Sequence, residues 1–145
     1  MSQLSDADQL AAQCADTMWL DDEASKALGM HIVTVREGYA DVCMTVRENM
    51  SNGHGMCHGG LIFTLADSAF AFACNSQNHV TVASGASIEF LRPAFTNDVL
   101  TASAGVVNQG KKNGLYDVVV RDQNEKIIAQ FRGRSTRIRG AVLAD

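Results

Sequence analysis

Two β-rich runs stand early in the chain, HIVTVRE at 31–37 and YADVCMTVR at 39–47, with Gly38 between them. Alternation of Val, Ile and Thr within each predicts an antiparallel hairpin. At residues 59–75 the period of two disappears. Leu61, Ile62, Phe63, Leu65, Ala66, Ala69, Phe70, Ala71, Phe72 and Ala73 occupy every side of a helix, which predicts an enclosed one. After Asn75 and Ser76 the strand pattern returns in four runs: VTVASGASIEFL, DVLTASAGVVNQ, GLYDVVVRD and KIIAQFRGRSTRI. They are divided by Arg92-Pro93-Ala94, by the turn from Gly110 to Gly114, and by Asp122-Gln123-Asn124. Ahead of the hairpin, residues 1–28 mix acids and alanines in a pattern fit for one or two short helices, a lid or an edge.

Two strands, one buried helix (58–76 with its flanks) and four more strands make an α+β domain, with the helix laid against a single curved antiparallel sheet. At 145 residues the chain is expected to be one domain, 1–145, with one core. One sheet covers only part of the helix's circumference, so the remaining face is expected to meet a second copy of the chain.

Composition narrows the function. A net charge of -4 gives no general field for holding nucleic acid or an anionic membrane. The apolar helix is too short and too interrupted to span a bilayer, and MSQLSDADQL lacks the basic and apolar regions of a signal peptide. A cytoplasmic location is therefore expected. Cys14, Cys43, Cys57 and Cys74 are scattered without a C-x-x-C pair, so reduced thiols are expected rather than disulfides or a zinc site. Neither a cofactor nor a metal is expected.

The helix carries one charge, Asp67, in its middle. A carboxylate withdrawn from water is costly unless paired, so Asp67 is either bonded to a neighbour such as Ser68, Asn75 or an arginine, or retained as a general base or nucleophile. Gly59 and Gly60 fall at the helix start, where unpaired N–H groups and the dipole can hold an oxyanion. They can equally serve a tight turn. The eight residues from Gly59 to Asp67 span about 12 Å of helix, whereas reacting groups need about 3–3.5 Å, so joint action requires Gly59 of one protomer and Asp67 of another.

In the preceding loop, Asn52 offers an amide to orient water, or an ordinary Asn-Gly turn. His58 is expected to fix the helix entry through a hydrogen bond. A Cys57 thiolate, or a metal held by His54, Cys57 and His58, is a weaker alternative. No G-x-S-x-G, Walker or G-x-G-x-x-G motif occurs. Arg132 and Arg134 share one strand face and Arg137 and Arg139 the other; they are either a solvated face or, with Lys111 or Lys112, a grip for carrier phosphates.

Together, Asn52-Gly53-His54, His58-Gly59-Gly60 and Leu65-Ala66-Asp67, followed by ASIEFLRPA and FRGRSTRI, resemble the hotdog-fold acyl-CoA thioesterases, most of all the phenylacetic acid degradation (PaaI) type, over residues 17–139. The resemblance implies dimers sharing one continuous sheet, usually paired into a homotetramer, and hydrolysis of an aryl-acyl-CoA such as phenylacetyl-CoA or hydroxyphenylacetyl-CoA. By position it implies Asp67 as base or nucleophile, the Gly59 amide as the carbonyl's partner, and Asn52 as the positioner of water, with His58 and Gly60 in support. Related subfamilies carry Glu at the Asp67 position. A hydratase or dehydratase pairing His58 with Asp67, or a non-catalytic acyl-CoA-binding protein, would use the same pocket.

Overall fold

The structure, a computed structural model, describes residues 3–144. Helix α1 (Asp6–Asp21) starts at Ser5, whose hydroxyl accepts the Asp8 N–H at 3.1 Å, and carries Asp6 and Asp8 in its first turn, where carboxylates favour the helix dipole. Asp22 ends α1 and caps the short α2 (Glu23–Ala27). The hairpin β1 (His31–Arg36) and β2 (Tyr39–Thr45) leads through a one-turn 3-10 helix (Glu48–Met50) to the central α3 (Gly59–Cys74). Strands β3 (Thr81–Phe90), β4 (Val99–Gln109), β5 (Asn113–Arg121) and β6 (Ile127–Arg137) complete the chain.

All six strands form one antiparallel sheet in the order β1-β2-β4-β5-β6-β3. Register shifts at Ile32/Thr34, Ala83/Gly85 and Val106/Asn108 insert bulges, which bend strands and wrap the sheet around α3. The strand and helix bounds lie within about two residues of those read from the alternation. Strand order was not legible there, because period fixes which face is buried and says nothing of which strands are neighbours.

The core fills the space between sheet and helix. Along β5, Gly114, Tyr116, Val118 and Val120 are buried and the residues between them are partly exposed. Phe70 of α3 stands 5.7 Å from the Tyr116 ring and 5.8 Å from Phe131, and Phe63 meets Phe131 edge-on at 5.2 Å. Asn75 ties the end of α3 to the start of β3, its Nδ2 donating to the Thr81 carbonyl at 3.0 Å and its Oδ1 accepting the Thr81 N–H at 2.8 Å.

Enclosure of α3 is incomplete within one chain. Gly60 is exposed, and Thr64, Asp67 and Ala71 are half-buried, a stripe at helical spacing that the sheet does not reach. One sheet thus covers only part of the helix's circumference, as expected, and leaves Asp67 half-buried in the single chain. At the sheet's two ends, β1 lies beside α1, with Asp8 accepting the Glu37 N–H at 3.0 Å. The outer edge of β3 has no strand partner among the described residues, and Val82, Ala83 and Ser84 on it are exposed.

Gly133 of β6 faces the Phe70 ring so closely that a Cβ there would stand 2.8 Å from its Cζ. Gly133→Ala is therefore expected to destabilise the fold by about 1–3 kcal/mol through overpacking, read as a lower denaturant midpoint at unchanged slope. A midpoint equal to the parent's would show that Phe70 has room to move.

Candidate active site

The loop before α3 is built to present the helix start. Asn52 closes it twice over: its backbone N–H donates to the Met56 carbonyl at 2.7 Å, and its side-chain Oδ1 accepts the N–H groups of His54 at 2.9 Å and Met56 at 3.2 Å. Two donors on Oδ1 fix the amide's orientation. Its Nδ2 has no acceptor among the described residues, and Asn52 lines a cavity of about 320 Å³ beside the helix. The turn and the site readings of Asn52 thus coexist in different atoms.

His58 caps α3. Its Nδ1 accepts the Gly60 N–H at 2.9 Å, so in the neutral ring the proton sits on Nε2. Its carbonyl takes the N–H groups of Leu61 and Ile62. Of the first amides, Gly59's N–H alone meets no acceptor among the described residues, and Gly59 lines the same cavity as Asn52. Phe90, half-exposed at the end of β3, lies against Gly59, where a Cβ would come within 3.1 Å of the ring. The glycine keeps that amide approachable from the cavity.

Asp67 does not line this cavity. It stands eight residues along an unbroken helix, about 12 Å by the rise of α3. The bonded alternatives are absent in the structure: Ser68 bonds Ser25 at 2.7 Å, Asn75 is spent on Ala71 and Thr81, and no donor or cation reaches the carboxylate among the described residues. Burial, first, and then the negative charge of Asp22 push the Asp67 carboxyl above its ordinary range. His58 is at the opposite end of the same interval, so one chain does not assemble a His58–Asp67 acid/base pair.

Other candidates separate. Cys57 is buried and its thiol is pushed up by desolvation, the opposite of an activated thiolate. No cluster of three or more potential metal ligands exists among the described residues. None of Arg132, Arg134, Lys111 and Lys112 comes to the cavity. The period of β6 turns Arg132 and Arg134 outward, away from α3, and Arg132 forks onto Asp117 at 2.7 and 2.9 Å. Lys111 and Lys112 sit in the β4–β5 turn beside Arg137, at the far end of α3 from Gly59. The cation at the cavity is Arg92, held by a 3.0 Å bond to the Ile127 carbonyl, next to Phe90, Leu91 and Pro93. In the sequence this segment reads as a strand end and a Pro turn, and only the folded approach of β3 to the helix start makes it part of the site.

Known proteins share this geometry. Residues 54–129 match the thioesterase superfamily model. Acyl-coenzyme A thioesterase PaaI of Escherichia coli is 50% identical over 135 residues, 93% of this chain and 96% of that one. The solved E. coli PaaI protein from the phenylacetic acid degradation operon superposes with a TM-score of 0.92 over 93% of this chain and 98% of that one. An Asn-to-Asp variant of the phenylacetic acid degradation protein PaaI from Thermus thermophilus, 33% identical, aligns with a TM-score of 0.78 over 81% of this chain and all of that one. A hypothetical thioesterase from Streptococcus pneumoniae, solved with coenzyme A, is 26% identical at a TM-score of 0.78, covering 86% and 96%. No helix among the described residues is long and apolar enough to cross a membrane.

The raised Asp67 carboxyl has a consequence for stability. Its folded-state pKa lies above the unfolded one, so ionisation weakens the fold as pH rises past the ordinary value of 3.8, and no difference remains below it. Asp67→Asn is expected to melt above the parent at about pH 7 and to converge on it by about pH 3, in thermal denaturation followed at both values. A variant that melts below the parent at neutral pH would mean that the carboxylate is paired.

Proposed function

This chain belongs to the thioesterase superfamily, in its hotdog-fold PaaI branch, and from that premise we propose that it hydrolyses arylacetyl-coenzyme A thioesters such as phenylacetyl-CoA at sites shared between two protomers. It is a thioester hydrolase. The observation that carries the shared site is the length of helix between Gly59 and Asp67: a carbonyl held by the first lies beyond reach of the second in the same chain.

A two-fold pairing of protomers answers three features at once. The unpartnered edge of β3 is a long strand ready to pair with its own copy, which extends the sheet across the dimer. The stripe of Gly60, Thr64, Asp67 and Ala71 gains a covering helix. Each Gly59 amide then faces Asp67 of the partner subunit. Two such dimers make the tetramer.

In this arrangement the thioester oxygen accepts the Gly59 N–H as charge builds on it, and Asn52 donates through its Nδ2 to the water or the reacting group. Asp67 of the partner subunit removes a proton from water as its oxygen bonds to the carbonyl carbon. The C–S bond then breaks with the sulfur leaving as thiolate, which afterwards takes up the proton held by that carboxyl. A thiol pKa of roughly 8.5 lets the sulfur leave as thiolate, so no separate strong acid is required. Direct attack by the carboxylate on the carbonyl carbon, breaking the C–S bond and expelling the thiolate to leave a mixed anhydride that water then opens to the free acid and the Asp67 carboxylate, uses the same groups. Arg92 is the cation placed to meet the CoA phosphates at the cavity.

Purified protein is expected to release free thiol from a panel of aryl and straight-chain acyl-CoA thioesters, with arylacetyl members turned over fastest. Asp67→Asn should lower kcat by about 10²–10⁴-fold with an unchanged circular dichroism spectrum. Unaltered turnover in that variant removes Asp67 from the chemistry, and a panel led by straight-chain substrates overturns the aryl preference.

A further inference from the structure

Beside Asp67 on α3, Ser68 is drawn into a chain of short hydrogen bonds that leaves the helix. Asp22, the residue between α1 and α2, accepts the Ser25 N–H on one oxygen at 3.0 Å and the Ser25 hydroxyl on the other at 2.7 Å. A carboxylate only accepts, so Ser25 gives its single hydroxyl proton to Asp22. Its 2.7 Å bond to Ser68 must therefore run the other way, from Ser68 to Ser25. Ser25 is buried, with 1% of its surface exposed, which makes this polar chain a fixed part of the packing. Asp22 also lines a second cavity, of about 430 Å³, together with Ala71, the residue one turn beyond Asp67.

We propose that Asp22 is a positioning residue for thioester hydrolysis: through Ser25 and Ser68 it pins α1–α2 against the turn of α3 that carries Asp67, and it holds a second negative charge beside that carboxylate. The inference rests on the reading of Asp67 as the base. A neighbouring like charge disfavours ionisation, so the base is stronger for having it; burial is the larger cause of the raised Asp67 carboxyl and the Asp22 charge the second.

The other ionisable groups around α3 leave Asp22 this role. Asp21, the last residue of α1, lines the same second cavity, but Asp22 is the charge that acts on Asp67. Lys26, the cation of α2, is turned to the Leu20 carbonyl at 2.7 Å and to Glu23 at 3.9 Å. Tyr116, from β5, meets α3 at Phe70 and Cys74 rather than at Asp67. Cys74, on α3 itself, is pushed up to about 12 mainly by burial and feels the Asp67 charge only as a lesser cause. The strands β2, β4 and β6 present Val42, Met44, Leu100, Ala102 and Phe131 to the helix, all uncharged.

Asp22→Asn and Asp22→Ser both keep a good helix cap for α2 while removing the charge, so each is expected to fold as the parent does. The test is the pH dependence of kcat/KM for phenylacetyl-CoA hydrolysis by the full-length protein between about pH 5 and 9, with oligomer size checked for each variant. In both variants the acid limb should move to lower pH, and kcat on the plateau should fall several-fold as the base weakens. A loss of rate with the limb unmoved, or a parent profile with no acid limb, overturns the proposal. If Asp67→Asn is dead and the limb is unmoved in the Asp22 variants, this inference alone fails; if Asp67→Asn is active, the reading beneath it fails.

Discussion

The unbroken ladder of α3 holds the Gly59 amide and the Asp67 carboxylate about 12 Å apart, and rotation of side chains cannot close that interval. A loop could bring two such groups together in many ways; a helix allows one spacing. Under the proposed shared site, placing both on one helix commits the chain to a second copy. Other features follow from the same commitment. The sheet leaves one stripe of the helix open, the β3 edge stays unpaired, and the residues of the open stripe are small enough for another helix to approach.

The same commitment explains how an expensive carboxylate is retained. In one chain Asp67 lacks every hydrogen-bond partner among the described residues and stands next to the field of Asp22. Fold stability alone would favour replacing it. In the proposed reaction its lack of partners leaves the carboxylate basic and free to take a proton, a local cost carried by the aromatic core of Phe63, Phe70, Tyr116 and Phe131 beneath it. Asn52 and His58 show the complementary solution. Each spends one atom on holding the loop, and in Asn52, which lines the cavity, the Nδ2 is left without an acceptor among the described residues.

Much of this was legible before any coordinates. Alternation located all six strands, and the helix stood out because apolar residues on every side suit no surface element. The isolated charge of Asp67 and the paired glycines at the helix start are the features from which the chemistry is proposed, and the rise per residue is the argument for two chains. What escaped was whatever depends on which strands are neighbours. Arg92 and Phe90 reach the site because β3 returns along α3, a fact of topology. Arg132 and Arg134 were placed on their shared face by period, but period does not say that this is the outer face or that Asp117 on β5 lies opposite Arg132. The Asp22–Ser25–Ser68 chain joins residues 43 positions apart through a packing contact, and no local pattern announces it.

The shared site is tested most directly by mixing two variants, Asp67→Asn and Gly59→Val, each inactive alone, after denaturing and refolding them together in equal amounts. Heterodimers then hold one site with both groups intact and one with neither, so random association restores about a quarter of the parent's specific activity. A mixture as inactive as its two components, with subunit exchange verified by mass, would mean that amide and carboxylate serve one site within a single chain, and would contradict the account.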